Sequence, residues 1–214
     1  MRELEAVIFD CDGTLVDSEP LARDAWDRTL AAYGYTVSDA EYAQLVGLPY
    51  PRVHGYFAER VAGLPAAEAL WPVLSGALFE LIDALLEPFA DAVDTVRALH
   101  ARGIAVAVAS SSPRERLDRT LRRAGLAGLF DVTVAGDEVR HGKPAPDLFL
   151  EAARRLGVAP ERCAVIEDAP AGVAAGIEAG MLTVAVARAP GDEVALAAAH
   201  RVLEHLTAEA VLSA

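Results

Sequence analysis

Residues 6–14 of the chain read AVIFDCDGT and combine an apolar run with two carboxylates. The run Ala6–Phe9 is apolar without alternation, which is typical of a strand buried on both faces in a parallel sheet. Two carboxylates, Asp10 and Asp12, follow it together with Gly13, a residue suited to turns. Because ligands of open α/β sheets bind beyond the carboxyl ends of the strands, the same stretch marks a candidate site.

Similar apolar runs recur along the chain and alternate with helical patterns. The further predicted strands are Ile104–Ala109, Val132–Ala135, Ala164–Ile166 and Leu182–Val186. The helices between them begin near a proline and stop before a glycine, as at Pro113 and Gly125, which is common at helix ends. We therefore expect an α/β fold with a doubly wound, Rossmann-like parallel sheet, and a short helix within the tail, Ala195–Ala214.

Residues 18–87 break this alternation, because no strand-like run occurs there. Their apolar positions follow helical periodicity, as in Leu21–Tyr33 and Ala66–Leu86. The segment lies between the first and second predicted strands, so we interpret it as an all-helical insertion. The predicted domains are an α/β catalytic core of residues 1–16 and 88–214 and a helical cap of residues 17–87.

Composition and charge narrow the range of partners. The 214 residues carry 19 Lys and Arg against 32 Asp and Glu, and this net charge of -13 argues against nucleic acid or an anionic membrane as partner. Cys11 and Cys163 lie in apolar runs, as expected of buried thiols in a reducing compartment. The first residues lack the apolar run of a signal peptide. We expect a cytoplasmic monomer or homodimer that binds a small molecule.

Charged and hydroxyl side chains follow four of the predicted strands. In chain order they are Asp10 with Asp12, Ser110, Lys143, and Glu167 with Asp168. Carboxylates gathered at one sheet edge repel one another unless a cation neutralises them, and Mg²⁺ prefers such oxygen ligands. A serine before a helix N-terminus and a nearby lysine favour an anion. The pattern indicates phosphoryl transfer, in which catalysis depends on positioning and charge neutralisation.

Each motif also has a purely structural interpretation. Asp-x-Asp-Gly occurs in surface turns, Glu167-Asp168 before a proline fits a helix cap, and Lys143 fits a solvated loop. Ser112, the last of three serines, is expected to cap the following helix. The catalytic interpretation depends on all four motifs falling at the ends of successive strands.

The four motifs together resemble those of the haloacid dehalogenase-like hydrolase superfamily. Residues 9–19, FDCDGTLVDSE, are similar to its first motif, and Ser110 is similar to its second. Lys143 within GKPAPD is similar to the third, and residues 165–172, VIEDAPAG, to the fourth. The helical insertion resembles the small cap of the subgroup that contains β-phosphoglucomutase and many small-molecule phosphatases. The resemblance covers about residues 4–187.

The resemblance implies a role for each matched acidic residue. Asp10 is the expected nucleophile and a Mg²⁺ ligand. Asp12 is the expected general acid and base, and its backbone carbonyl is a second Mg²⁺ ligand. Asp168 is a direct metal ligand, and Glu167 acts on the metal through water or through another ligand.

The resemblance also implies which residues bind the phosphate and the rest of the substrate. Ser110, the backbone of Ser111 and Lys143 are expected to bind the transferring phosphoryl group, with Lys143 bridging it to the nucleophile. Residues of the cap set the choice of substrate. Tyr50, Arg52 and His54, which follow Gly47 in the cap, are the candidates there.

Two cap positions favour a phosphatase over a mutase. In the mutase, a histidine of the first cap helix and an arginine after a cap glycine help to hold the sugar phosphate. The corresponding positions here are Ala22 and Tyr50, with Arg52 two residues further on. The resemblance therefore implies Mg²⁺-dependent hydrolysis of a small phosphomonoester through an aspartyl-phosphate.

The expected substrates are sugar phosphates or related organic phosphates, phosphogluconate-like compounds among them. Two alternatives stay open: a β-phosphoglucomutase-like sugar phosphomutase, and a non-catalytic module that binds a phosphorylated metabolite. Release of free phosphate separates the first alternative from a phosphatase. Binding without turnover would indicate the second.

Overall fold

A computed structural model of the chain describes residues 4–213. In this range the elements are, in order, β1 (Ala6–Phe9), α1 (Glu19–Ala31), α2 (Asp39–Tyr42), α3 (Tyr50–Ala58), α4 (Ala67–Leu85), α5 (Ala90–Ala101), β2 (Ala105–Ala109), α6 (Arg114–Arg123), β3 (Val132–Val134), α7 (Asp147–Leu156), β4 (Cys163–Glu167), α8 (Pro170–Glu178), β5 (Leu182–Val186), α9 (Asp192–Ala195), β6 (Arg201–Leu203) and α10 (Ala208–Leu212). Among these residues, no helix has the length and apolar character needed to cross a membrane.

The strands form one parallel sheet in the order β3-β2-β1-β4-β5-β6. This order is that of a doubly wound sheet, in which the direction of winding reverses beside β1. All four residues of β1 are fully buried, and helices pack on the sheet, α7 against β1, β2 and β3 and α8 against β4 and β5. The predicted fold class is confirmed.

The register of the central strands determines which side chains meet at the sheet edge. Phe9 of β1 pairs with Val108 of β2 on one side and with Ile166 of β4 on the other. The next residue, Asp10, donates its backbone N–H to the carbonyl of Ile166 at 2.9 Å. The chain segments that follow β1, β2 and β4 therefore leave the sheet side by side, at its topological switch point.

The tail of the chain differs from the sequence-based expectation. We predicted a single short helix within Ala195–Ala214, whereas the structure has a strand, β6, before the short helix α10. Val202 of β6 pairs with Ala185 of β5, and the strand is only half-buried at the sheet edge. Three residues, one of which is an arginine, are too few to show a strand periodicity.

The described chain divides into two compact units. One unit comprises the chain up to Asp17 and from Glu87 onward, and contains the sheet; the other is the helical segment Ser18–Leu86. Within the helical unit, α1 packs against α4, and apolar side chains such as Leu30, Phe57 and Leu70 are buried. The predicted cap, residues 17–87, has nearly the same limits, and its role as a cap stays a prediction.

The two segments that flank the insertion run next to each other in the sheet-containing unit. The N–H of Asp17 donates to the carbonyl of Glu87 at 3.1 Å, and the N–H of Phe89 donates to the carbonyl of Leu15 at 2.9 Å. Val16 forms an antiparallel bridge with Pro88 between these bonds. The chain thus leaves and re-enters this unit at adjacent points.

Candidate active site

Three carboxylates meet at the sheet edge beside β1. Asp10 follows β1, Glu167 ends β4 and Asp168 comes next, and one oxygen from each lies within 4.8 Å of the other two. Asp10 is 6% exposed and Glu167 only 1%. Oxygen ligands at this spacing are those that a hard cation such as Mg²⁺ or Ca²⁺ prefers.

Lys143 places an ammonium group among these carboxylates. Its Nζ forms an ion pair with Asp10 Oδ1 and another, at 2.6 Å, with Glu167 Oε1, and it also donates to the carbonyl of Ala109 at 3.2 Å. The side chain is 7% exposed. Lys143 is the single lysine of the 214 residues, so every other residue in the Lys and Arg count is an arginine. A compact, tetrahedral charge suits this narrow position better than a planar guanidinium.

Burial and mutual repulsion raise the affinity of two carboxylates for protons. Burial raises the pKa of Asp10 to about 7, the charges of Glu167 and Asp12 add to this effect, and Lys143 opposes it. Burial also raises the pKa of Asp168 well above its usual range, with Glu167 and Asp10 as the next causes. Burial by itself lowers the pKa of Lys143, but Asp10 and Glu167 outweigh it, so this pKa lies above its usual value. Burial thus penalises the ionised carboxylates, and Lys143 offsets this penalty only in part.

Two glycines allow the carboxylates to approach the backbone. Gly13 has φ +84°, and a Cβ there would lie 2.1 Å from Asp168 Oδ2. A Cβ at Gly172, in α8, would lie 1.6 Å from Glu167 Oε1. Any larger residue at either position would displace a carboxylate of the cluster.

Backbone and hydroxyl donors fix the orientation of the β4 carboxylates. Oε2 of Glu167 accepts the N–H groups of Asp168 and Ala169, each at 2.9 Å. The Thr14 hydroxyl donates to Asp168 Oδ1 at 2.7 Å. The geometry of the cluster is therefore fixed by the loop after β1 as well as by β4.

Arg188, which follows β5, holds the loop after β1. Its guanidinium donates to the carbonyls of Gly13 at 3.3 Å and Thr14 at 2.7 Å, and it pairs through Nη1 with both oxygens of Asp91. The same guanidinium lies over the ring of Phe89, 3.9 Å from its centroid. Arg188 was not among the residues predicted for the site, although it lies just beyond a predicted strand.

The serines after β2 lie at the same end of the sheet. The Ser110 N–H donates to the carbonyl of Val134 at 3.0 Å, and its buried Oγ accepts the N–H of Ser112 at 3.1 Å. Ser111 is exposed. Their expected role in binding phosphate stays a prediction.

Asp12 lies outside the three-carboxylate cluster and has partners that were not predicted from the sequence. Its Oδ2 accepts the Ser112 hydroxyl at 2.8 Å, and its Oδ1 accepts Nη2 of Arg116 at 2.8 Å. We expected Ser112 to cap α6, but the residue before that helix is Pro113 and the Ser112 hydroxyl binds Asp12 instead. Ser112 lies outside α6, so no helical spacing in the sequence links it to Arg116.

The three candidate cap residues lie between the start and the middle of α3, in the helical unit. The Tyr50 hydroxyl donates to the carbonyl of Ala67 at 2.6 Å, and the His54 ring bonds to the carbonyl of Pro65 at 2.8 Å. Arg52 is exposed. The polar groups of Tyr50 and His54 are thus engaged inside this unit, and the substrate-binding role of all three residues stays a prediction.

A parallel α/β sheet with a lysine among buried carboxylates at its switch point defines a class of enzymes that act on anionic groups. Comparison with known proteins identifies the family: the haloacid dehalogenase-like hydrolases match residues 4–180, and the chain belongs to this family. The resemblance to its β-phosphoglucomutase-like subgroup is confirmed as well.

Three similar proteins illustrate the relationship. Fructose-1-phosphate phosphatase YqaB of Escherichia coli is 38% identical over 179 residues, which cover 82% of this chain and 92% of that protein. A crystal structure from Thermotoga maritima, provisionally assigned as a β-phosphoglucomutase, is 30% identical with a TM-score of 0.83, covering 98% of this chain and 97% of that one. A Deinococcus radiodurans HAD family hydrolase with bound phosphate and sodium is 36% identical with a TM-score of 0.77, covering 94% and 90%. The predicted enzyme class, phosphoric monoester hydrolase, is confirmed.

Proposed function

We propose that this protein is a Mg²⁺-dependent phosphatase that hydrolyses a small phosphomonoester through an aspartyl-phosphate on Asp10. The observation that carries the proposal is the cluster of Asp10, Glu167 and Asp168, in which the buried Asp10 and Glu167 both contact Lys143. We assign the α/β core to residues 1–16 and 88–214 and the cap to residues 17–87. The two buried, free cysteines suit the reducing cytoplasm, where we expect the enzyme to act.

The residues present fit a divalent cation. Three carboxylates face one ammonium group, and burial first, then repulsion between the carboxylates, raises the pKa values of Asp10 and Asp168. Asp10 and Asp168 would hold the ion together with the backbone carbonyl of Asp12, whereas Glu167 is already engaged by Lys143 and two backbone donors. The ion supplies neutralisation of the charge on the phosphoryl oxygens.

In the first step, a carboxylate oxygen of Asp10 attacks the phosphorus atom. A bond forms between Asp10 and phosphorus while the bond from phosphorus to the ester oxygen breaks. Asp12 gives its proton to the departing oxygen, so that the product leaves as a neutral alcohol. Lys143 keeps Asp10 oriented and adds positive charge near the transferring group.

In the second step, Asp12 acts in the opposite direction. Its carboxylate, now ionised, takes a proton from a water molecule that attacks the phosphorus of the aspartyl-phosphate. The bond between Asp10 and phosphorus breaks, which regenerates the Asp10 carboxylate and releases inorganic phosphate. Ser110 and the backbone of Ser111 would bind phosphoryl oxygens in both steps, because they lie at the same end of the sheet.

Sugar phosphates are the proposed substrate class, with related organic phosphates such as phosphogluconate-like compounds included. Support comes from the similarity to a fructose-1-phosphate phosphatase over most of both chains. A second candidate, a sugar phosphomutase, is supported by the similarity to a structure assigned as β-phosphoglucomutase. A mutase would isomerise the sugar phosphate and conserve its phosphate, whereas a phosphatase releases it.

Phosphate release from a panel of phosphomonoesters, with Mg²⁺ and with EDTA, tests the proposal. The panel contains sugar phosphates, phosphoglycolate, phosphogluconate and nucleotides. We expect Mg²⁺-dependent release that Asp10→Asn abolishes and Asp94→Asn, at an exposed position on α5, leaves unchanged. Full activity of Asp10→Asn would exclude Asp10 as the nucleophile, and tight binding without any turnover would indicate a binding module.

A further inference from the structure

The carboxylate of Asp12 is held through both of its oxygens. The Ser112 hydroxyl donates to Oδ2 and Arg116 Nη2 donates to Oδ1, each at 2.8 Å. Ser112 is buried in the loop after β2, and Arg116 lies in the first turn of α6. Asp12, by contrast, comes from the loop after β1, so these bonds connect two separate segments at the sheet edge.

We propose that Arg116, together with Ser112, is a positioning residue that sets Asp12 for proton transfer to the leaving oxygen. This inference rests on the proposed function, in which Asp12 is the general acid and base. A general acid must lie within hydrogen-bond reach of the atom that it protonates, so its rotamer matters. Two bonds from donors in the loop after β2 and in α6 restrict the rotamer of the Asp12 carboxylate.

The surroundings of Arg116 argue for a role beyond surface charge. Its side chain is 20% exposed, and its Nε is buried with no hydrogen-bond partner among residues 4–213. Burying a donor without a partner costs free energy. The ion pair with Asp12 offsets this cost and keeps the Arg116 side chain in its largely buried position. Arg122 on the same helix is exposed, as expected of an arginine that serves only the surface.

A comparison of two leaving groups distinguishes positioning of Asp12 from a general structural role. An alkoxide, as from a sugar phosphate, needs a proton to leave, whereas the nitrophenolate of p-nitrophenyl phosphate leaves without one. The value of kcat/KM reports the steps up to release of the alcohol, before the aspartyl-phosphate is hydrolysed. The ratio of kcat/KM for the two substrates therefore measures the general-acid contribution.

We expect Arg116→Gln to lower kcat/KM for the sugar phosphate about 10- to 100-fold, part of the ~10²–10⁴-fold that general acid catalysis supplies. For p-nitrophenyl phosphate the loss should stay below about threefold, because that step needs little acid. Arg116→Lys should recover part of the activity on the sugar phosphate. Arg122→Gln is the matched control and should leave both values unchanged. Equal losses on both substrates, or no loss on either, would overturn the inference.

Asp12→Asn separates failure of this inference from failure of the proposed function. If Asp12→Asn lowers kcat/KM equally for both substrates, Asp12 is not the general acid and the proposed mechanism is wrong. If Asp12→Asn affects the sugar phosphate selectively but Arg116→Gln does not, the role of Arg116 alone is wrong. Should Arg116→Gln fail to fold, Ser112→Ala applies the same test through the other oxygen of Asp12.

Discussion

Replacing Asp10 with asparagine should stabilise the metal-free protein at neutral pH while abolishing its activity. The carboxyl group is 6% exposed, and burial raises its pKa from 3.8 to about 7, with Glu167 and Asp12 adding and Lys143 opposing. This change sets an upper limit of about 4 kcal/mol on the destabilisation of the folded state by the ionised group. Asparagine has nearly the same shape and carries no charge, so it removes that destabilisation.

The expected gain depends on pH in one direction. Because the folded state binds the Asp10 proton more tightly than the unfolded state, wild-type stability falls as the pH rises from 3.8 to about 7, and this contribution is constant above that pH. The advantage of Asp10→Asn should therefore be small near pH 4, less than half of its full value near pH 5 and complete near pH 8. Urea unfolding in EDTA at these pH values measures the difference in free energy of unfolding.

Two controls make this result specific to the cluster. Asp94→Asn, at an exposed position, should change the free energy of unfolding by less than about 0.5 kcal/mol. Mg²⁺ should stabilise the wild type more than Asp10→Asn, because a ligand stabilises the state that binds it. A variant no more stable than the wild type at pH 8 in EDTA, or a gap independent of pH, would refute the reasoning about charge in this cluster.

Three further substitutions test other parts of the structure. Gly172→Ala should displace Glu167, destabilise the protein by about 1–3 kcal/mol and impair activity. Gly76→Ala in α4, which has open space around it, is the control and should stabilise the protein by up to about 1 kcal/mol. Thermal unfolding and phosphate release are measured for both variants. Lys143→Arg should lower kcat at least about 100-fold although the charge is kept, because the guanidinium cannot occupy the same position, and unchanged turnover would contradict this role. Asp91→Asn should cost about 2 kcal/mol at pH 7. Burial alone would raise the pKa of Asp91, but hydrogen bonds from the Leu206 N–H and Arg188 lower it below its usual value. The stabilisation by ionised Asp91 is therefore complete above pH 3.8 and is lost as the pH falls through the lowered pKa. Urea unfolding at pH 7 and below pH 4 should show that the difference in free energy of unfolding between wild type and variant disappears in acid.

The parts of the fold that the sequence predicted are those determined locally. The strand Ala6–Phe9 was predictable because a continuous apolar run is typical of a strand buried on both faces of a parallel sheet. The aspartates follow directly from it, since they come next in the sequence. The carboxyl ends of β2 and β4 were predictable because these strands are also continuous apolar runs. Strand β6 was not predicted because it is short and half-buried. Its strand conformation depends on pairing with β5 and is not evident from its own three residues.

The partners of Asp12 and of the loop after β1 depend on longer-range placement. Arg116 reaches Asp12 only because α6 begins directly after the serine loop and directs its first turn back toward β1. Arg188 reaches the carbonyls of Gly13 and Thr14 only because β5 lies two strands from β1 in the sheet. Neither contact follows from a residue pattern within one segment, since each depends on the strand order.

The adjacent exit and entry points of the insertion have an evolutionary consequence. Leu15 and Phe89 are joined by a backbone hydrogen bond, so an inserted segment must begin and end at points that lie next to each other. Helix pairs and hairpins of many sizes meet that requirement without disturbing the strands. Lineages could therefore exchange the inserted module while keeping the sheet and its carboxylate cluster unchanged.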